Sequence, residues 1–83
     1  MSGRAPTYRE LRDVLVRVLS FSLKSQKGSH EKYEGMYGGR RRIVTLDKNH
    51  DSFPPRIQKQ NVHSMALQAG MSKSGFIGLI KKA

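Results

Sequence analysis

Leu11, Val14, Leu15, Val18 and Leu19 recur at i, i+3, i+4, i+7 and i+8, the apolar stripe of an amphipathic helix. Arg9, Arg12, Asp13 and Arg17 occupy its other face, and Thr7 and Glu10 have the spacing of a capping box. The pattern predicts a helix over residues 8–19. After Ser20 the period falls to two: Phe21 and Leu23 alternate with Ser22 and Lys24, as in a strand covered on one face. Gly28-Ser29 turns the chain and residues 30–37 return as a second strand. Gly38-Gly39 is a hairpin signal, because glycine reaches positive φ without steric cost. Residues 40–46, rich in β-branched side chains, form a third strand.

Asp47, Asn49, Asp51, Ser52 and Pro54-Pro55 predict a loop over residues 47–60. Asn61 is then the expected cap of a second helix that turns Val62, Met65, Ala66 and Ala69 inward and ends at Gly70. Ser72 is the expected cap of a short third helix carrying Phe76, Ile77, Leu79 and Ile80. The order is α-β-β-β-α with a short C-terminal helix, an α+β fold built on an antiparallel three-stranded meander. The 83 residues allow one domain over 1–83, with residues 1–6 as a flexible tail.

Charge changes the picture more than size does. Sixteen Lys and Arg stand against six Asp and Glu, a formal charge of +10, and such a surface attracts polyanions, above all nucleic acid. There is no cysteine, which rules out disulfide and thiolate chemistry. No run approaches the ~18 apolar residues of a membrane span, and residues 1–6 lack the apolar region of a signal peptide. A cytoplasmic protein is expected.

Within this cationic chain, Gln26-Lys27-Gly28-Ser29-His30 places a histidine just past a glycine turn and beside a lysine. Histidine transfers protons near neutral pH. If Tyr33 faces the core, His30 points to the opposite face with Lys32, and Lys24 or Lys27 approaches from the neighbouring strand. For RNA, the proton to remove is on the ribose 2′-OH, a group that DNA lacks. Arg40-Arg41-Arg42, together with Lys24, Lys27 and Lys32, is expected to surround a phosphodiester. The blander readings are a surface histidine at a turn and a charged edge that blocks aggregation. His50 reads as a loop hydrogen-bonding residue and His63 as a solvent-facing helix position. The scattered carboxylates offer no metal-ligand set, so neither metal nor cofactor is expected. A competing pattern, Ala66, Gly70 and Phe76 with Ser72, Lys73 and Ser74 outward, has the spacing of a DNA-binding helix-turn-helix, although two helices packed on a sheet explain the same residues.

Taken together, Tyr8-Arg9-Glu10-Leu11, Phe21, Gln26-Lys27-Gly28-Ser29-His30, Arg41-Arg42-Ile43-Val44-Thr45-Leu46 and Gln68-Ala69-Gly70-Met71-Ser72 resemble the HicA family of toxin mRNA interferases. The resemblance implies a fold like that of double-stranded RNA-binding domains, with two helices on one face of the sheet. It implies an endoribonuclease that cleaves mRNA and arrests translation, with His30 catalytic; the missing metal-ligand set makes the expected reaction metal-independent. The residues themselves, read by charge and position, give Lys24, Lys27, Gly28, Ser29, Lys32, Arg40, Arg41 and Arg42 as the candidate RNA-binding set. The resemblance also implies a HicB-type antitoxin partner in a hetero-oligomeric complex. Two positions depart from the family: Ser20 stands where glycine is usual, and Asp47 where proline commonly follows the third strand. The alternatives are a non-catalytic double-stranded RNA-binding module and a helix-turn-helix DNA binder.

Overall fold

The computed structural model describes residues 5–82. Helix α1 (Tyr8–Asp13) starts at the expected capping box: Thr7 Oγ1 accepts from Glu10 N at 3.1 Å, and Glu10 Oε1 accepts from Thr7 N at 2.8 Å. It continues without a break into a π-helical segment, Val14–Val18. Leu11, Val14 and Leu15 are fully buried, whereas Val18 and Leu19 are only half-buried. The wider π turn shifts the stripe, so that Val16 and Leu19 pack at the margin of the core. Ser20 then adopts φ 61°, and among the described residues it is the only non-glycine at positive φ.

Strands β1 (Ser22–Lys27), β2 (His30–Tyr37) and β3 (Arg40–Asp47) form one antiparallel sheet in sequence order, as expected. Gly38 and Gly39 sit at φ 64° and 77°, the paired left-handed conformation of a type I′ hairpin turn. The expectation for Leu23 fails. It is 50% exposed, and β1 is exposed throughout, because the helices lie over β2 and β3 and the β1 register slips between Leu23 and Ser25.

The second helix also differs from expectation. Helix α2 (Pro55–Gln68) begins six residues before Asn61, within the expected loop, with Pro55 as its first residue. A proline there sacrifices no helical hydrogen bond, since the first-turn N–H groups have no intrahelical partner. Only the short turn His50–Ser52 and its flanks remain as connection. The helix closes as expected, with Gly70 N donating to Leu67 O and Met71 N to Ala66 O, the paired bonds of a Schellman motif. Ser72 caps α3 (Lys73–Gly78) by accepting from Gly75 N at 3.1 Å, and a 3₁₀ segment, Leu79–Lys82, follows.

Leu11, Val14, Leu15, Phe21, Tyr33, Val44, Leu46, Val62, Met65, Ala66, Ala69 and Phe76 form the core between helices and sheet. Ala66 and Phe76 of the helix-turn-helix-like pattern are consumed by this packing. One carboxylate is buried with them. Glu31 Oε1 accepts from Tyr8 Oη at 2.6 Å and from Tyr33 Oη at 3.0 Å, the kind of pairing that makes such burial tolerable. Burial first, then the bond to Glu31, raises the pKa of both tyrosines. Of the expected tail, residues 1–4 lie outside the described residues; Ala5 and Pro6 are half-buried against the domain.

Candidate active site

His30 is the first residue of β2, immediately after the Gly28-Ser29 turn, with Gly28 at φ 60°. One strand pairing and two hydrogen bonds frame this corner. Lys27 pairs with His30 across the turn, Gln26 Nε2 donates to Gly28 O at 3.3 Å, and Lys48 N donates to Ser29 O at 2.7 Å, tying the turn to the end of β3. Burial alternates along β2, with Glu31 and Tyr33 inward and His30 and Lys32 outward. His30 therefore lies on the open face of the sheet, its side chain 62% exposed.

Directly opposite on β3 stands Asp47, whose Oδ2 is 3.7 Å from His30 Nε2. Its side chain is only 17% exposed, so this carboxylate is held more firmly than a free surface aspartate. Asp47 Oδ1 also accepts from Asn49 N at 2.8 Å, which fixes the carboxylate plane. At 3.7 Å the carboxylate lies just outside hydrogen-bond reach; a small closing movement lets it accept from an Nε2–H, an arrangement that leaves Nδ1 as the acceptor. Ser25, Gln26, Lys27, His30, Lys32 and Thr45 line a cleft on this face. Imidazole, carboxylate and two ammonium groups thus meet at one corner of the sheet, a set suited to moving a proton beside a phosphate.

The other expected phosphate ligands do not join them. Lys24 pairs with Glu34 at 3.5 Å, and Arg41 pairs with the same Glu34 oxygen. Arg40, Arg41 and Arg42 pair with Tyr37, Met36 and Gly35, at the other end of the hairpin from His30. At about 3.4 Å per residue, Arg41 is roughly 20 Å away along the strand. Arg42 also points to the opposite face: its Nε donates to Tyr37 O at 3.1 Å, and its guanidinium covers Gly70 so closely that a Cβ there would clash with it. One phosphodiester cannot span this distance, so the expected single cluster separates into a corner around His30 and a remote arginine-rich hairpin end. Gly28 and Ser29 contribute the shape of the turn.

His63 is exposed on α2, as its position predicts. His50 is fully buried and does make a loop hydrogen bond, with Nε2 at 2.9 Å from Pro6 O. Because a carbonyl only accepts, Nε2 carries the proton and Nδ1 is left as an acceptor. That Nδ1 is buried without a partner, at a cost of about 1–3 kcal/mol. Among the described residues no group of three or more His, Cys, Asp or Glu is placed to hold a metal ion.

A second cleft adjoins the first. It runs between the edge of β3 and α2, and its walls include His30, Thr45, Asp47, His50 and Phe53 from the sheet side and Asn61, Ser64 and Gln68 from α2. His30 and Thr45 belong to both clefts. Asp47 and this groove are the parts of the site that the sequence reading missed. The signal for Asp47 lies in the hairpin: counting outward from Gly38-Gly39 pairs Tyr37 with Arg40 and ends by pairing His30 with Asp47. No family model, no curated protein and no solved structure matches this chain.

Proposed function

We propose that this chain is a metal-independent endoribonuclease in which His30 is the general base and Asp47 orients it. The observation that carries the reading is the opposition of His30 and Asp47 at 3.7 Å on an open, cationic sheet face. His30 Nδ1 takes the proton of a ribose 2′-OH, and the 2′-oxygen attacks the adjacent phosphorus. The bond from phosphorus to the 5′-oxygen breaks, and that oxygen takes up a proton, returned from the imidazolium or supplied by water. The products are a 2′,3′-cyclic phosphate and a 5′-hydroxyl. Lys27 and Lys32 offset the charge that grows on the non-bridging oxygens, where preplaced cations contribute most. General base catalysis of this kind contributes about 10²–10⁴-fold.

The resemblance to HicA toxins supports the same reaction and extends it to mRNA inside a cell, under the control of an antitoxin. An acidic partner covering the His30 corner blocks RNA by sterics and competes with phosphate for Lys27 and Lys32. Among the described residues no helix is long and apolar enough to cross a membrane, and cytoplasmic RNA is the substrate this reading requires.

The test is product chemistry. Purified protein incubated with single-stranded RNA in EDTA should yield 2′,3′-cyclic phosphate ends and leave the all-deoxy analogue intact. Cleavage of the deoxy analogue, or activity that disappears in EDTA and returns with magnesium, overturns the mechanism.

A further inference from the structure

The groove between β3 and α2 opens directly beside His30, yet the cleavage chemistry above makes no use of it. Its polar groups are of a particular kind. Gln68 Oε1 accepts from Thr45 N at 3.0 Å, so the amide is fixed and its NH₂ remains the free, donating end. Asn61 and Ser64, one helical turn apart along α2, bring an amide and a hydroxyl that no hydrogen bond among the described residues engages. Phe53 and Ile57, both half-buried, supply apolar wall. The unpaired, fully buried Nδ1 of His50 belongs to the same wall.

We infer that this groove binds one unpaired nucleobase next to the scissile phosphate, with Asn61, Ser64 and Gln68 reading its edge. The inference rests on the ribonuclease reading and adds to it the source of sequence preference. Three features select a base over a phosphate or a small apolar ligand. No lysine or arginine lines the groove. Amide and hydroxyl groups match the mixed donors and acceptors of a base edge, whereas an aromatic and an aliphatic side chain suit its faces. The groove also shares His30 and Thr45 with the cationic cleft, so a nucleotide with its phosphate at Lys27 and Lys32 has its base within reach of α2. A base held in a duplex cannot turn into such a groove, so single-stranded RNA is the form bound.

The experiment combines cut-site mapping with a binding measurement. Wild type and the Asn61→Ala and Gln68→Ala variants are given a randomised single-stranded RNA pool, with thermal melts confirming that each is folded. The wild type should cut with a marked preference at one position flanking the scissile bond, and Asn61→Ala should reduce that preference about 10-fold. Separately, a 2′-deoxy dinucleotide series is titrated into ¹⁵N-labelled wild-type protein. The preferred dinucleotide should shift the amides of Asn61, Ser64 and Gln68 together with those of the His30 corner. Unchanged cut sites in both variants, with shifts confined to the sheet face, overturn the base site while leaving the ribonuclease reading intact. Shifts on α2 from a protein that cuts no RNA retain the base site and remove the ribonuclease reading.

Discussion

His30 and Asp47 oppose each other as the end pair of β2 and β3, with Nε2 and Oδ2 3.7 Å apart. If the carboxylate sets the imidazole tautomer, Asp47→Asn should lower the cleavage rate by about 10–10²-fold. The binding of uncleavable 2′-deoxy RNA should hardly change. Stability should move by less than about 1 kcal/mol, because asparagine keeps an Oδ1 acceptor for Asn49 N and the facing imidazole is exposed. A full cleavage rate in Asp47→Asn shows that the carboxylate is a bystander.

Salt dependence separates the cations that meet RNA from those already paired. Each neutralised phosphate on a single strand contributes about −0.7 to the slope of log K against log salt. Lys32→Ala should flatten the slope by about that amount. Glu34→Gln should steepen it, because Lys24 and Arg41 both pair with this carboxylate and are released together. Equal slopes in wild type and Lys32→Ala remove Lys32 from the phosphate contacts.

Much of the fold is written in short-range signals. Thr7 with Glu10, Gly38-Gly39, Gly70 and Ser72 each mark an element end through one or two hydrogen bonds or one backbone conformation, and all four stand where they were expected. What local pattern could not carry was tertiary. Leu23 alternates like a covered residue, but coverage depends on where α1 and α2 come to rest, and they rest over β2 and β3. Pro54-Pro55 reads as a break when it is in fact a helix start, because proline chemistry serves both. In the site, His30 and its outward direction follow from turn and alternation alone. The three arginines are neighbours in sequence, and only strand direction reveals that they sit at the opposite end of the hairpin from the histidine.

Ser20 offers a stability test of a different origin. It ends the first helical segment at φ 61°, a conformation that disfavours a side chain and suits glycine. Ser20→Gly should raise the unfolding free energy by roughly 0.5–1 kcal/mol, read as a higher urea midpoint at unchanged m-value. A lower midpoint means that the serine side chain contributes more than its backbone costs.

Tyr8 and Tyr33 must both stay protonated to donate to Glu31, and both pKa values are raised in the folded protein. The folded state therefore holds protons that the unfolded state releases. This contribution is complete below the ordinary tyrosine value near 10, and is lost as pH rises above it toward the folded values. Chemical denaturation at pH 8 and pH 11 should show a steep decline for the wild type. The decline should be shallower for Tyr8→Phe, which starts lower by about 1–3 kcal/mol because a buried carboxylate has lost a donor. The same alkaline decline in both proteins places its cause elsewhere.

If the imidazole of His30 removes the proton that starts RNA cleavage, its loss slows the chemical step itself. The measurement is single-turnover cleavage of one short RNA by wild type and His30→Ala, with circular dichroism confirming the fold of each. His30 is exposed and makes no core contact, so the variant should fold normally and cut about 10²–10⁴-fold more slowly. Cleavage by folded His30→Ala at the wild-type rate removes His30 from the reaction.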